Sequence, residues 1–288
     1  MKILPDTSLS VKARKPESSR RPSARPSTRK ALGQHYLTDK GTIQQILSTS
    51  QLNPHDTVLE VGPGLGAVTF PLVQSAQSVV AIEIDPRLAA SLPGRLGNPP
   101  NLRVINADAR DVELTNVLEE NANYKLVANL PYYAASPILR RFLETVTHRP
   151  ALIVVMVQRE VARSMAAEDG RMSLLAVGIQ VYGIPSIICD VPPEAFYPPP
   201  KVTSTVVKIV PRHRMAIEVE NTEGFFNVVR AGFFAPRKQI RNSLGLGLSM
   251  STEQVGHLLE SAKLDPKLRP ENLSLEEWGR LYQASLHQ

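Results

Sequence analysis

The residues Asn129-Leu130-Pro131-Tyr132 carry the most specific chemistry in this sequence. An asparagine side-chain oxygen and the backbone carbonyl that follows it can accept the two hydrogens of one amino group. Proline stiffens the backbone beside them, and the Tyr132 ring can stack on a flat base. That arrangement suits alkylation of an exocyclic amine and has no use in hydride transfer. Upstream, Val58 to Gly66 reads as a strand running into a glycine turn and a helix. Glycines let backbone approach a ligand closely, and a helix N-terminus offers free N–H groups. Gly62, Gly64 and Ala67 also fit the dinucleotide pattern G-x-G-x-x-A. Glu83, at the end of an apolar run 21 residues after Gly62, is placed to accept both hydroxyls of a ribose. A ribose diol belongs equally to NAD and to S-adenosylmethionine, so this acid does not choose between them.

Three further sites are weaker. Asp108 follows an apolar segment and can accept from the amine of an adenine, although a loop aspartate capping the next turn is equally ordinary. Phe196, before three consecutive prolines, is either a second aromatic wall for a base or a core residue. Arg237, Lys238 and Arg241 follow Arg230 with no acid between 224 and 252. At helical spacing they form either a local phosphate patch or a solvated helix face.

The elements that must position these residues alternate. Strands are predicted at Thr57–Val61, Ser78–Ile84, Leu102–Asn106, Tyr124–Ala128 and Ala151–Val157. Helices are predicted over 40–50 with Asp39 as cap, Gly66–Gln74, Pro86–Leu92, Ser136–Leu143 with Ser136 as cap and Pro137 at N1, and from about Gln158. The strands are continuous apolar runs, as expected where both faces are covered, so the pattern is a doubly wound parallel sheet. Val202–Val210 reads as a later strand with period-2 character. Phe225–Phe234, Ser251–Ala262 and Ser274–Ser285 read as helices, with a boundary near 211–220.

Composition sets the limits. At 288 residues, 42% hydrophobic and 21% charged, the chain can bury a sizeable core. Its single cysteine, Cys189, excludes an intramolecular disulfide framework and a cysteine zinc cluster. The six histidines show no metal-ligand spacing, and no apolar run has the length a bilayer demands. Residues 1–30 hold nine Lys/Arg and two acids, more than the whole net charge of +6, so the remainder is close to neutral. Residues 1–29 contain no aromatic residue and are predicted to be a disordered basic arm. That arm fits a loose hold on RNA phosphates, a plain solvated extension or an organellar transit segment.

Taken together these residues resemble the rRNA adenine N6,N6-dimethyltransferases, and most closely the bacterial small-subunit branch. The resemblance runs from Leu32 to about Leu275. Its landmarks are Gly33-Gln34-His35-Tyr36-Leu37, the glycine turn, Glu83, Asp108, Asn129 to Tyr132, Pro199-Pro200-Lys201-Val202 and Arg241-Asn242-Ser243-Leu244. It implies a Rossmann-like S-adenosylmethionine-dependent methyltransferase domain with a mostly parallel sheet over 30–213, and a small all-helical RNA-binding domain over 214–288. It implies cofactor contacts at His35, Leu37, Gly62, Glu83, Asp108 and Asn129. Target-adenine contacts fall on Asn129, Leu130 and Tyr132, with Phe196 as the second stacking ring, and RNA contacts on Arg237, Lys238 and Arg241. The implied reaction dimethylates N6 of two adjacent adenosines near the 3′ end of small-subunit (16S) rRNA, within a pre-ribosomal particle. The implied enzyme is cytoplasmic and needs no metal, and a large asymmetric substrate favours a monomer. His35, Tyr36 and Tyr133 stand where the family commonly has Asn, Phe and Asn. The alternatives are a large-subunit rRNA adenine methylase, an NAD-dependent oxidoreductase, and an assembly factor whose main role is binding.

Overall fold

The computed structural model describes residues 34–119, 123–146 and 148–287. The predicted arm and Gly33 lie outside them. Seven strands form the central sheet. In chain order they are β2 (Thr57–Val61), β3 (Ser78–Glu83), β4 (Leu102–Asn106), β5 (Tyr124–Asn129), β6 (Leu152–Gln158), β7 (Gly183–Val191) and β9 (Ser204–Pro211). A two-residue pair, β1 (Tyr36–Leu37) with β8 (Phe196–Tyr197), stands apart from it.

The sheet order is β4-β3-β2-β5-β6-β9-β7. The first five strands are parallel, while β9 runs antiparallel to both β6 and β7. The order turns outward in both directions from β2, so the carboxyl ends of β2 and β5 flank the crevice where such sheets bind ligands. Alternate side chains go to opposite faces. Val58, Val79, Val127 and Val154 pack on one face with Leu37, Ile46 and Leu72. Leu59, Val80, Leu126 and Val155 pack on the other. Burial on both faces explains why the strand sequences do not alternate with polar residues.

The helices before the strand β9 are α1 (Lys40–Ser50), α2 (Thr69–Ser75), α3 (Pro86–Arg95), α4 (Ala135–Arg140), α5 (Arg159–Met165) and α6 (Leu174–Gln180). The Asp39 side chain caps α1 by accepting from the Thr42 N–H. α2 starts at Thr69, three residues later than the glycine turn alone suggests. The expectation for α4 needs correcting. The cap position is Ala134, with no side-chain bond, and Ser136 and Pro137 lie within the first turn, where proline's missing N–H is still harmless.

After β9 come α7 (Thr222–Gly232), α8 (Ile240–Leu248), α9 (Thr252–Ser261) and α10 (Leu275–Ser285). Ser251 with Gln254, and Ser274 with Glu277, form reciprocal capping boxes on α9 and α10. The four helices close around Trp278, which is fully buried. Phe225, Leu244, Leu258 and Leu281 share one apolar cluster with Leu59 and Val155 of the sheet, so the helical layer is packed onto the sheet's own core.

Candidate functional site

Nine residues singled out in the sequence meet around one cleft: His35, Leu37, Gly62, Glu83, Asp108, Asn129, Leu130, Tyr132 and Phe196. The cleft measures roughly 1130 Å³ out to its open mouth and lies across the carboxyl ends of β4, β3, β2 and β5. Arg237, Lys238 and Arg241 are not part of it.

The floor is the turn after β2. Gly62 and Gly64 have φ of +74° and +58°, a region that disfavours side chains. A Cβ on Gly62 would meet the Asn129 carbonyl oxygen at 3.2 Å, and one on Gly64 would meet the Tyr36 ring at 3.3 Å. Glu83 closes the inner wall. Its Oε2 accepts from the Gly64 N–H at 3.1 Å and its Oε1 from the Asp85 N–H at 2.9 Å. Burial nevertheless holds its pKa above the ordinary carboxylate value. Glu60, on β2 beneath the turn, is 2% exposed, and its Oε2 has no hydrogen-bond partner. Desolvation, reinforced by the neighbouring Glu83 charge, pushes its pKa up to about 8. Glu60 is therefore mostly protonated at neutral pH, and it carries an orphaned oxygen at the cleft lining.

Asp108 is engaged by its neighbour. The Arg110 guanidinium donates to both carboxylate oxygens, at 2.6 Å for the closest contact, and holds the Asp108 pKa below its usual value. On the far wall, Asn129 Nδ2 makes a long 3.5 Å contact to the His35 carbonyl. The Asn129 side-chain oxygen accepts no hydrogen bond among the described residues. The Tyr132 hydroxyl bonds Ser204 Oγ at 2.9 Å, which fixes the ring, and the His35 ring stacks on it with centroids 6.2 Å apart.

The β1–β8 pair assembles the rim. Leu37 faces Phe196 in the ladder, Thr38 donates backbone and side-chain bonds to the Ala195 carbonyl, and His35 Nδ1 lies 2.7 Å from the Pro198 carbonyl oxygen. Phe196, 5% exposed, is both a packed side chain and part of the cleft lining, so its two sequence readings are compatible. Gln34 donates to Asp85, and the Tyr36 hydroxyl donates to Gln34, which ties the segment over the glycine turn. Sequence reasoning gave no role to Asp85 or Glu60, and none to Tyr36 beyond its place in a landmark segment. An acid two residues after a ribose-type acid and just before an N1 proline is a cap signal that could have found Asp85.

A cleft lined by Glu83, Asn129, Leu130 and Tyr132 across four adjacent strand ends has counterparts in known proteins. The family model for ribosomal RNA adenine dimethylases matches residues 25–285. The chain belongs to the ribosomal RNA adenine dimethylase family.

Among curated relatives, a protein of Dehalococcoides mccartyi named ribosomal RNA small subunit methyltransferase A is 44% identical over 88% of this chain and 87% of its own length. One of the same name from Moorella thermoacetica is 39% identical over 90% and 93%. Among solved structures, a dimethyladenosine transferase from Plasmodium falciparum superposes with TM-score 0.70 at 25% identity, over 86% of this chain and 96% of that one. The 23S rRNA methyltransferase ErmE superposes with TM-score 0.67 at 31% identity, over 88% and 100%.

The methyl donor of this family is S-adenosylmethionine. The residues present fit it: side-chain-free backbone at Gly62 and Gly64, a buried acceptor in Glu83 and an unpaired oxygen on Glu60 line one cleft.

One expectation about the basic residues is corrected. α8 begins at Ile240, so only Arg241 is helical, whereas Arg237 and Lys238 sit in the preceding turn, closed by the Lys238 N–H donating to the Ala235 carbonyl. Pro236 and the turn closed on Ala235 precede the helix, which starts only after Gln239, its N-cap.

Proposed function

We propose that this chain transfers methyl groups to N6 of two adjacent adenosines near the 3′ end of small-subunit rRNA, two to each, during biogenesis of the small subunit. The carrying observation is the placement of the Asn129 side chain and the Leu130 backbone beside Tyr132 and across the cleft from Glu83. S-adenosylmethionine, when bound, supplies a methyl on a positively charged sulfur, electrophilic without help from a metal. Glu83 accepts the ribose hydroxyls, Asp108 faces the adenine amine, and His35, Leu37, Gly62 and Asn129 hold the remainder. The obstacle is the target nitrogen, whose lone pair is delocalised into the purine. The Asn129 oxygen and the Leu130 carbonyl take the two N6 hydrogens, which turns the lone pair out of conjugation. Positioning and fixed dipoles do most of the work. The target base leaves its stack to enter, and Tyr132 and Phe196 replace the stacking it loses. Once alkylated, N6 is acidic, and its proton leaves to solvent at the open mouth. Arg237, Lys238 and Arg241 hold RNA phosphates outside the cleft. A large asymmetric substrate, a pre-ribosomal particle, suits a monomer working in the cytoplasm. Among the described residues, no helix is long and apolar enough to cross a membrane and no cluster of metal-ligating side chains occurs.

The test is mass spectrometry of rRNA after unmethylated small subunits meet the protein and isotopically labelled S-adenosylmethionine. Labelled dimethyladenosine in the 3′-terminal fragment is expected. Cofactor binding without transfer to small-subunit rRNA rejects the reading. The likeness to a 23S rRNA methyltransferase makes large-subunit rRNA the parallel sample, and label there alone would move the substrate.

A further inference from the structure

The two consecutive phenylalanines after α7 have opposite fates. Phe233 turns inward and stacks on Trp278, with centroids 5.3 Å apart. Phe234 turns outward and is 66% exposed, the most exposed of the large apolar side chains. Burial of such a side chain stabilises a fold, and here that gain is forgone. The exposed ring is not on a loose loop. The Phe234 N–H donates to the Ala231 carbonyl at 3.2 Å, and the next N–H, that of Ala235, donates to Ser243 Oγ at 2.9 Å. The backbone on both sides of the ring is thus pinned to α7 and α8.

Phe234 borders an open groove between these helices, together with Asn227, Arg230, Ala231, Gly247 and Leu248. The helices meet closely beneath it, since a Cβ on Gly247 would lie 2.5 Å from the Ala231 Cα. Only glycine permits that approach, and it leaves a shallow trough beside the ring. The surroundings are cationic. Arg230 lies in the groove, Arg237 and Lys238 lie on the adjoining turn, Arg241 lies in the first turn of α8, and all four are exposed. None of them makes an ion pair among the described residues. The sequence has no acid from 224 to 252 to neutralise them.

A rigid exposed aromatic face on a cationic segment that itself carries no acid matches one ligand chemistry, a polyanion that carries flat apolar units. Single-stranded RNA is such a polymer. Its bases stack on aromatic rings while its phosphates follow the cations. A duplex keeps its bases stacked on one another and cannot use the ring. We propose that Phe234 is a stacking platform for one unpaired nucleotide of RNA outside the methylation cleft, with Arg230 and Arg237 holding the adjoining phosphates. This deepens the RNA-substrate reading and rests on it. The ring selects unpaired RNA, whereas the cations alone cannot tell single strands from duplex.

The test compares two fluorescein-labelled probes, an unstructured RNA of mixed adenosine and cytidine and a blunt RNA duplex, by anisotropy over a series of salt concentrations. Stacking on one ring corresponds to a roughly 5- to 150-fold effect on affinity. Phe234→Ala loses that factor for the single strand, keeps the wild-type salt slope and leaves duplex binding unchanged. Phe234→Trp restores the single-strand affinity. Arg230→Ala/Arg237→Ala weakens both probes and flattens the salt dependence. In methyl transfer, Phe234→Ala raises KM for small subunits at unchanged kcat. Wild-type single-strand affinity in Phe234→Ala, or equal losses on both probes, overturns the proposal. Displacement of the single strand by a polyglutamate peptide that needs Phe234 would give the groove to acidic protein and also overturn it. Wild-type protein that binds S-adenosylmethionine but neither RNA would instead overturn the RNA-substrate reading itself.

Discussion

The cleft and the basic turn handle charge in opposite ways. In the cleft the carboxyl groups of Glu60 and Glu83 are buried, and Glu83 is held by the Gly64 and Asp85 N–H groups just beyond the ends of β2 and β3. On the turn and the start of α8, Arg237, Lys238 and Arg241 are exposed. A buried, directed acceptor discriminates, because a wrong ligand or a lost partner leaves a desolvated group unpaired. An exposed cation attracts any polyanion and is screened by salt. One region is built to choose and the other to gather.

That contrast can be broken by substitution. Asn129→Ala is expected to lower turnover on unmethylated subunits by on the order of 100- to 1000-fold, as for loss of one directed transition-state partner. Its cofactor affinity, measured by calorimetry, stays within a few-fold of wild type. Turnover like that of wild type would remove Asn129 from the chemistry. Glu83→Ala is expected to weaken S-adenosylmethionine by about 10- to 100-fold, the range for a hydrogen bond to a charged group, with little dependence on salt. A steep salt dependence would make the cleft resemble the turn.

Glu60 sharpens the comparison through pH. Its folded pKa, about 8, lies above the ordinary glutamate value of 4.5, so the native state binds more protons than the unfolded chain between those values. Stability from this group is complete below about pH 4.5 and is lost as pH rises toward 8, with a slope of at most about 1.4 kcal/mol per pH unit. Glu60→Gln, which keeps the shape without the titration, should gain stability relative to wild type across that window in thermal melts. Parallel melting curves would place the carboxyl in contact with water. The smallest effect is expected on the turn. Lys238→Ala should weaken RNA binding only a few-fold and reduce the salt slope by about 1, with cofactor affinity unchanged.

The parts legible in the sequence are those where one local signal decides. β2 and β4 have the bounds that their apolar runs predict, and Asp39, Ser251 and Ser274 cap the helices they precede. Other elements are set by partners distant in the chain. β7 has Pro185 inside it and prolines after it, and three of its residues from Ile184 to Ile188 are exposed, so neither period shows. It exists because β9 pairs with it from Gly183 to Val191. β1 and β8 are too short for any pattern, and α8 is masked by Gly245 and Gly247, which only the close crossing with α7 explains. The cleft residues follow the same divide. Gly62, Glu83 and Asn129 sit at strand ends that the sequence marks. The link from Tyr36 through Gln34 to Asp85 is a tertiary arrangement with no local signature.

The rim pairing has a consequence for the order of events during synthesis. His35 and Pro198 are 163 residues apart, and between them lie six of the seven sheet strands. A ribosome that has just emitted the glycine turn, Glu83 and Asn129 has made the cleft's floor and one wall, but the segment that shuts the rim has no partner until Phe196 emerges. A contact of such long range forms late. A nascent chain of this protein would therefore hold most of its binding groups well before it could retain a ligand. Completion of the cleft is tied to having made the sheet that supports it.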